Sequence, residues 1–162
     1  MGIDYLADHP EWVPTLAAWF HEEWGRRNPA SSLERAEKSL RERLNHDRLP
    51  LALVAFQGSE PVGSASLKMQ EMDTHKHLLH WLGTVYVHPE YRRQGIGSQL
   101  VERAMAEAQR PGLSELYLYT VNRERMYARL EWRPVERTRY QEQQVLIMRR
   151  DLVSLCQRIM NE

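Results

Sequence analysis

The sequence predicts an α/β (α+β mixed) protein: a mixed sheet with helices on both faces, in a single domain over residues 1–162. Three observations lead there. Strand-like and helix-like segments interleave in the order β-α-α-β-β-β-α-β-α-β-β, which builds a sheet covered by helices. The chain has 162 residues, 42% hydrophobic and 27% charged, enough for one sizeable core in an ordinary globular composition. The run LLHWLGTVYV, 78–87, is apolar almost throughout, as a central strand buried on both faces requires.

Each element has its own warrant. IDYL near the start reads as a short strand. In PEWVPTLAAWFHEEW, the residues Val13, Leu16, Ala17, Phe20 and Trp24 recur at helical spacing, and Gly25 with Asn28-Pro29 ends the helix. A second helix starts at SSLE, where Ser31 and Glu34 have the spacing of a capping box, and carries the stripe Leu33, Ala36, Leu40, Leu44. LALVAF, 51–56, is a buried strand, and QGSEP a turn. VGSASLKM alternates, with Gly63, Ala65, Leu67 and Met69 on one face, as a hairpin partner does. The polar EMDTHKH is a loop before the central run. Ile96, Leu100, Val101, Ala104 and Ala108 mark a helix that stops at Arg110-Pro111-Gly112. LYLYTV, 116–121, is a strand, and RERMYARL a short helix with Met126, Tyr127 and Leu130 on one side. WRPVERTRY and QQVLIM form a closing hairpin.

Bulk properties narrow the function. Net charge is zero, from 22 basic and 22 acidic residues, which argues against a nucleic-acid binder. The single cysteine, Cys156, makes no internal disulfide or multi-cysteine metal site and reads as a packed thiol in LVSLCQRIM. No apolar run approaches the roughly 18 residues of a membrane span, and no signal peptide is evident, so a cytoplasmic location is expected. His75, His77 and His80 with Asp73 read as a polar hairpin loop, and no metal is expected.

The stretch VHPEYRRQGIGSQL places Arg92, Arg93, Gly95 and Gly97 where a strand turns into a helix. A helix N-terminus presents unsatisfied N–H groups and partial positive charge, both of which suit a phosphate. Glycines let the phosphate approach, and arginines add charge-assisted contacts. A dinucleotide fingerprint would need a third glycine where Leu100 stands, and a P-loop would need Gly-Lys-Ser/Thr. Neither is present. From the turn alone, a tight strand-helix connection with solvated arginines stands beside the phosphate cradle.

VYVHPEYRRQGIG resembles motif A of the GCN5-related N-acetyltransferase (GNAT) superfamily, with Arg92, Gly95 and Gly97 matching residue by residue. The later LYLYT strand and MYARLEW segment are similar to the family's tyrosine-bearing element. The resemblance implies a central twisted sheet of about six to seven strands, mixed and mostly antiparallel, in which the fourth and fifth strands splay apart. It implies acetyl-CoA as co-substrate. The pyrophosphate would rest on the backbone of Arg93, Gln94, Gly95, Ile96, Gly97 and Ser98, beside Arg92, and the pantetheine arm would pair with Val85, Tyr86 and Val87. Asn122 would contact that arm, although it lies closer to the tyrosine than the family's asparagine. Tyr127 would protonate the departing thiolate, with core packing as its other reading.

Where family members carry a glutamate base, this chain has Trp81. His80 is the base candidate, with Asp73 and Glu71 also near in sequence, Glu22 and Glu23 offered by the first helix, and a water relay as the competing route. Glu131 stands where the family has a glycine that caps the helix in a left-handed conformation. Trp19, Glu22, Glu23, Trp24, Asp73 and Tyr140 are the acceptor candidates, since aromatics beside carboxylates hold cationic amines. The expected activity is acetyl transfer to a primary amine by direct attack in a ternary complex, with a small aminoglycoside-like or polyamine-like acceptor. A protein or peptide amine, aminoacyl-tRNA and a non-catalytic acyl-CoA sensor are the alternatives. Acetyl-CoA and the amine are the expected partners, with no nucleic acid and no membrane, in a monomer or homodimer.

Overall fold

A computed structural model describes residues 1–152 and Met160. Cys156 lies outside the described residues. The elements follow the predicted order: β1 (Gly2–Tyr5), α1 (Val13–Glu23), α2 (Leu33–Arg41), β2 (Leu51–Gln57), β3 (Glu60–Lys68), β4 (Trp81–Val87), α3 (Ile96–Gln109), β5 (Glu115–Thr120), α4 (Glu124–Arg129), β6 (Arg133–Tyr140) and β7 (Gln143–Asp151). The seven strands form one sheet in the order β1-β2-β3-β4-β5-β7-β6. All neighbours are antiparallel except β4 and β5.

The helical stripes decide the layers. Val13, Leu16, Ala17 and Phe20 of α1 pack with Leu40 of α2 against Ala52, Val54 and Tyr86, covering one face of the sheet. On the other face, Ile96, Leu100, Val101, Ala104 and Ala108 of α3 pack over Leu53, Leu67, Leu82, Leu116 and Leu118, joined by Tyr127 and Trp132. Each fully buried leucine here stabilises the fold by about 1.5–3 kcal/mol. A third cluster, Met72, Trp81, Tyr117, Val145 and Ile147, lies over β4, β5 and β7.

Several local expectations are corrected. The N-cap of α2 is Ser32, whose hydroxyl accepts from the Arg35 amide at 3.1 Å, so the Ser31–Glu34 capping box does not form. The helix therefore starts later, and Leu33 is exposed rather than part of the stripe. β3 is buried on both faces from Val62 to Leu67, because it lies between β2 and β4, and Met69 falls beyond its end, exposed. The central strand begins at Trp81, because His80 takes a left-handed φ of 72° and breaks the extended run.

α4 ends as the chemistry of its C-terminus demands. The Trp132 amide donates to the Tyr127 carbonyl and the Glu131 amide to the Ala128 carbonyl, each at 3.0 Å, which is a Schellman motif. The motif needs a left-handed residue after the cap. Glu131 supplies it at φ 68° and bears the backbone cost that a glycine avoids. The Trp132 ring then meets the Tyr127 ring edge-on at 6.1 Å, the apolar contact that accompanies such a cap.

Candidate active site

The site forms where β4 leaves β5. The two strands pair only at Trp81 and Tyr117. Beyond that pair the C-terminal half of β4 has no partner on its β5 side, which opens a cleft along Val85, Tyr86 and Val87. A bulge redirects β4 just before the cleft. Ser66 pairs with Gly83 and Ser64 with Tyr86, so three steps of β4 oppose two of β3. Thr84, at the bulge, takes φ 45°, a rare conformation for a β-branched residue.

At the far end of the cleft the turn into α3 presents its backbone. Gly95 is left-handed at φ 80°, with no atom near the position of a Cβ. Arg93 is also left-handed, at φ 65°. The first amide of the turn to find an acceptor is that of Gln99, on the Gly95 carbonyl at 3.1 Å. Among the described residues, the amides from Arg93 through Gln94, Gly95, Ile96 and Gly97 to Ser98 donate to no protein acceptor. Consecutive free N–H groups at the positive end of a helix of this length suit a phosphate and form a candidate cradle for one. Arg92 does not point into it. Its Nε donates to the Val87 carbonyl at 2.8 Å, and its guanidinium lies over the Tyr86 ring at 5.6 Å. Arg92 thus anchors the end of β4 to the turn.

Tyr127 is only 6% exposed. Burial pushes its hydroxyl up to about 12, against a small opposing effect of Arg123. The group is protonated through the physiological range and can donate a proton. Val121 to Met126, with the exposed Asn122 among them, line an open depression. Met126 Sδ lies 3.8 Å from the Cβ position of Gly97, so this depression abuts the cradle.

The face of the sheet under α1 and α2 collects the other candidates. Trp19 stacks near Tyr86 at 5.7 Å, and Trp24, 41% exposed, meets Tyr86 edge-on at 5.9 Å. Glu22 and Glu23 are exposed beside them, and both carboxylates raise the Tyr86 hydroxyl pKa after burial and against Arg92. Across the cleft, Tyr119 of β5 meets Tyr140 edge-on at 5.6 Å. Burial, then the Asp73 carboxylate, raises the Tyr140 hydroxyl pKa, which puts Asp73 at that ring. His80 stays apart. Its amide bonds to the Met69 carbonyl and its own carbonyl takes the Tyr117 amide, both at 3.0 Å, at the closed end of the strand pair. About 16 Å of strand separates it from Val85.

The carboxylate nearest the bulge is Glu71. Its Oε2 occupies the space a Cβ on Gly83 would need, so any larger residue there would push the carboxylate aside. Lys68 Nζ donates to Oε1 at 3.2 Å. The same Nζ lies 3.0 Å from Oε2 but off the line a hydrogen bond needs, leaving Oε2 buried without a donor. Burial lowers the Lys68 pKa, with Glu71 opposing. His75 reaches Glu136 of β6 at 2.8 Å and stacks on His77 at 5.8 Å, which ties the loop carrying Glu71 and Asp73 to the final hairpin.

Sequence reasoning passed over Arg43, Lys68 and Thr84 and named Glu71 only in passing. Arg43 had a signal: a cation three residues beyond Leu40, on the buried stripe of α2. Thr84 was a polar residue in an apolar strand.

Comparison with known proteins agrees with this geometry. The model of the Acetyltransferase (GNAT) family matches residues 13–132. No curated protein matches the sequence. Solved structures share the fold. An aminoglycoside 6'-N-acetyltransferase complexed with coenzyme A superimposes with a TM-score of 0.74 at 17% identity, over 95% of this chain and 98% of that one. An aminoglycoside 6'-N-acetyltransferase from Enterococcus faecium gives 0.72 at 18% identity, covering 95% and 98%. A ribosomal-protein-alanine N-acetyltransferase from Brucella melitensis gives 0.72 at 20% identity, covering 94% and 100%.

Proposed function

The chain belongs to the Acetyltransferase (GNAT) family, and from that premise we propose that it moves an acetyl group from acetyl-CoA to a small, polycationic primary amine by direct attack in a ternary complex. The observation that carries the acceptor class is the pairing of aromatic faces with carboxylates on both walls of the cleft. Trp19, Trp24 and Tyr86 stand with Glu22 and Glu23 on one wall, and Tyr119 and Tyr140 with Asp73 on the other. Such walls hold several ammonium groups at once through cation–π and charge contacts. The aminoglycoside acetyltransferases among the fold relatives support the same acceptor class.

The residues divide the work. The free amides from Arg93 to Ser98 receive the pyrophosphate of acetyl-CoA, and the unpaired edge of Val85, Tyr86 and Val87 receives its pantetheine arm as an added strand. Asn122, at the rim of the depression, faces that arm. A primary ammonium has an ordinary pKa of about 10.4 and must lose a proton before it attacks. Glu71, beside the bulge, takes that proton through water in place of a strand glutamate. The amine lone pair then forms the C–N bond, and a β4 amide stabilises the carbonyl oxygen as it gains charge. The C–S bond breaks, the thiolate takes the Tyr127 proton, and the second proton, shed by the acylated nitrogen as it becomes a neutral amide, returns through water to the Tyr127 oxygen.

The test is release of free CoA across an amine panel, with acetyl-CoA binding measured in parallel. Aminoglycosides or polyamines should give release well above water. Release only with peptide N-termini would move the acceptor to proteins. Acetyl-CoA binding with no release for any amine would make the chain a sensor and overturn the proposal.

A further inference from the structure

Arg43 is among the few buried charged residues of the fold, 6% exposed, and neither the cradle nor the acceptor walls account for it. It follows α2, and its backbone is fixed: its carbonyl accepts the Ala52 amide of β2 at 3.1 Å and its amide donates to the Leu40 carbonyl at 2.9 Å. From that anchor the guanidinium spans several elements. Nη1 donates to Ser66 Oγ of β3 and to Thr84 Oγ1 of β4, each at 3.0 Å, while Nη2 donates to Ser39 Oγ of α2 at 2.8 Å. Burial lowers the Arg43 pKa, and the Glu71 carboxylate opposes that effect.

Removing a guanidinium from water is costly, and nothing about the core requires a cation here. What the cation reaches is the bulge. Thr84 at φ 45° carries a backbone strain of about 1–3 kcal/mol, the kind that persists only where surrounding contacts over-determine it. Hydrogen bonds from a charged donor, each worth about 1.5–3 kcal/mol, are large enough to hold it. The bulge in turn decides which backbone groups of Val85, Tyr86 and Val87 face the cleft. Without it, alternation along the strand would turn those groups toward β3 instead and send each side chain to the opposite face.

We propose that Arg43 is a positioning residue, a clamp from α2 that holds the β4 bulge in the shape that aims the β4 amides at the thioester oxygen. This rests on the acetyl-transfer reading above. Unlike Glu71 or Tyr127, it touches neither substrate nor reacting atoms.

The test is a double-mutant cycle of Arg43→Met and Thr84→Val, read in kcat, in acetyl-CoA Kd and in hydrogen exchange of the peptide covering residues 82–88. Each single variant should lower kcat by about 10- to 100-fold, since small misplacement of a donor has that effect, with acetyl-CoA Kd weakened by less than that, because the pyrophosphate cradle is intact while the pantetheine arm loses part of its pairing with β4. The double variant should fall no further than the lower single, and exchange at 82–88 should quicken in both singles while the α3 N-terminus is unaltered. A folded Arg43→Met protein with wild-type kcat, or losses that multiply in the double, would overturn the clamp. If Arg43→Met does not fold, Thr84→Val, which leaves the arginine in place, decides alone: wild-type kcat and exchange in it sink the proposal. Wild-type protein that acetylates no amine would count against the proposed function, whereas unchanged exchange at the bulge counts against the clamp.

Discussion

Burial keeps the Tyr127 hydroxyl protonated up to about 12, so the acid role proposed for it would not depend on pH across the working range. Tyr127→Phe removes the proton and little volume. Turnover should fall by about 10²- to 10⁴-fold, the range for loss of a general acid, while calorimetry should find acetyl-CoA affinity nearly unchanged. The same shift has a stability consequence. A tyrosine whose folded pKa is raised stabilises the fold fully below the unfolded value of 10.0, and that contribution is lost as pH rises through about 12. Wild type should therefore lose on the order of 2 kcal/mol more than Tyr127→Phe between about pH 10 and 12, measured by urea unfolding at each pH. An equal loss in both proteins would mean the hydroxyl is not buried as described. Tyr127 was singled out in the sequence by the resemblance of MYARLEW to the family's tyrosine-bearing element, while its place beside Met126 and Leu130 on one helix side spoke equally for core packing. Arg43 was not, because a cation on a stripe looks the same whether it reaches inward or snorkels to water.

Among the elements, α4 and its cap carry a cost that sequence comparison pointed to and geometry located. Glu131 stands at φ 68°, where glycine is unstrained, and its side chain meets Arg150 at 3.1 Å on an exposed surface. Exposed ion pairs contribute little, about 0–1 kcal/mol, and left-handed strain exceeds that. Glu131→Gly should therefore stabilise the protein, by about 1 kcal/mol, seen as a raised denaturation midpoint. A lowered midpoint would show that the ion pair outweighs the strain. Helix limits were readable to within a residue or two from stripes and breakers. The shift of the α2 cap from Ser31 to Ser32 was not, since adjacent serines offer the same chemistry and only the path of the preceding turn selects one.

For the molecule as a whole, the proposed acceptor groove draws on segments far apart in the chain: α1, the loop before β4, β5 and the β6–β7 hairpin. Glu22 and Asp73 lie on opposite walls and share no partner. Glu22→Gln and Asp73→Asn should each raise KM for a polycationic amine several-fold, and the double variant should show the product of the two, as independent sites do. Steady-state kinetics at low salt, where charge contacts are least screened, reads this directly. Unchanged KM in both variants would remove the carboxylates from acceptor binding. Among the described residues, no helix is long and apolar enough to cross a membrane.

The amino-acid sequence alone determined the order of the elements and the glycine turn, Gly95 and Gly97, where β4 leads into α3. These are local properties: periodicity, breakers and free amides at a helix end are set within a few residues of one another. Only the tertiary structure decided what stands around the cleft. It set the Arg92 guanidinium on the Val87 carbonyl and over the Tyr86 ring, left His80 at the closed end of the strand pair, brought Glu71 against Gly83 and carried Arg43 across to the bulge. Those outcomes depend on contacts between residues tens of positions apart. One extra residue in β4 changes which face each following side chain takes, and nothing in the local sequence of β4 announces where that residue is accommodated.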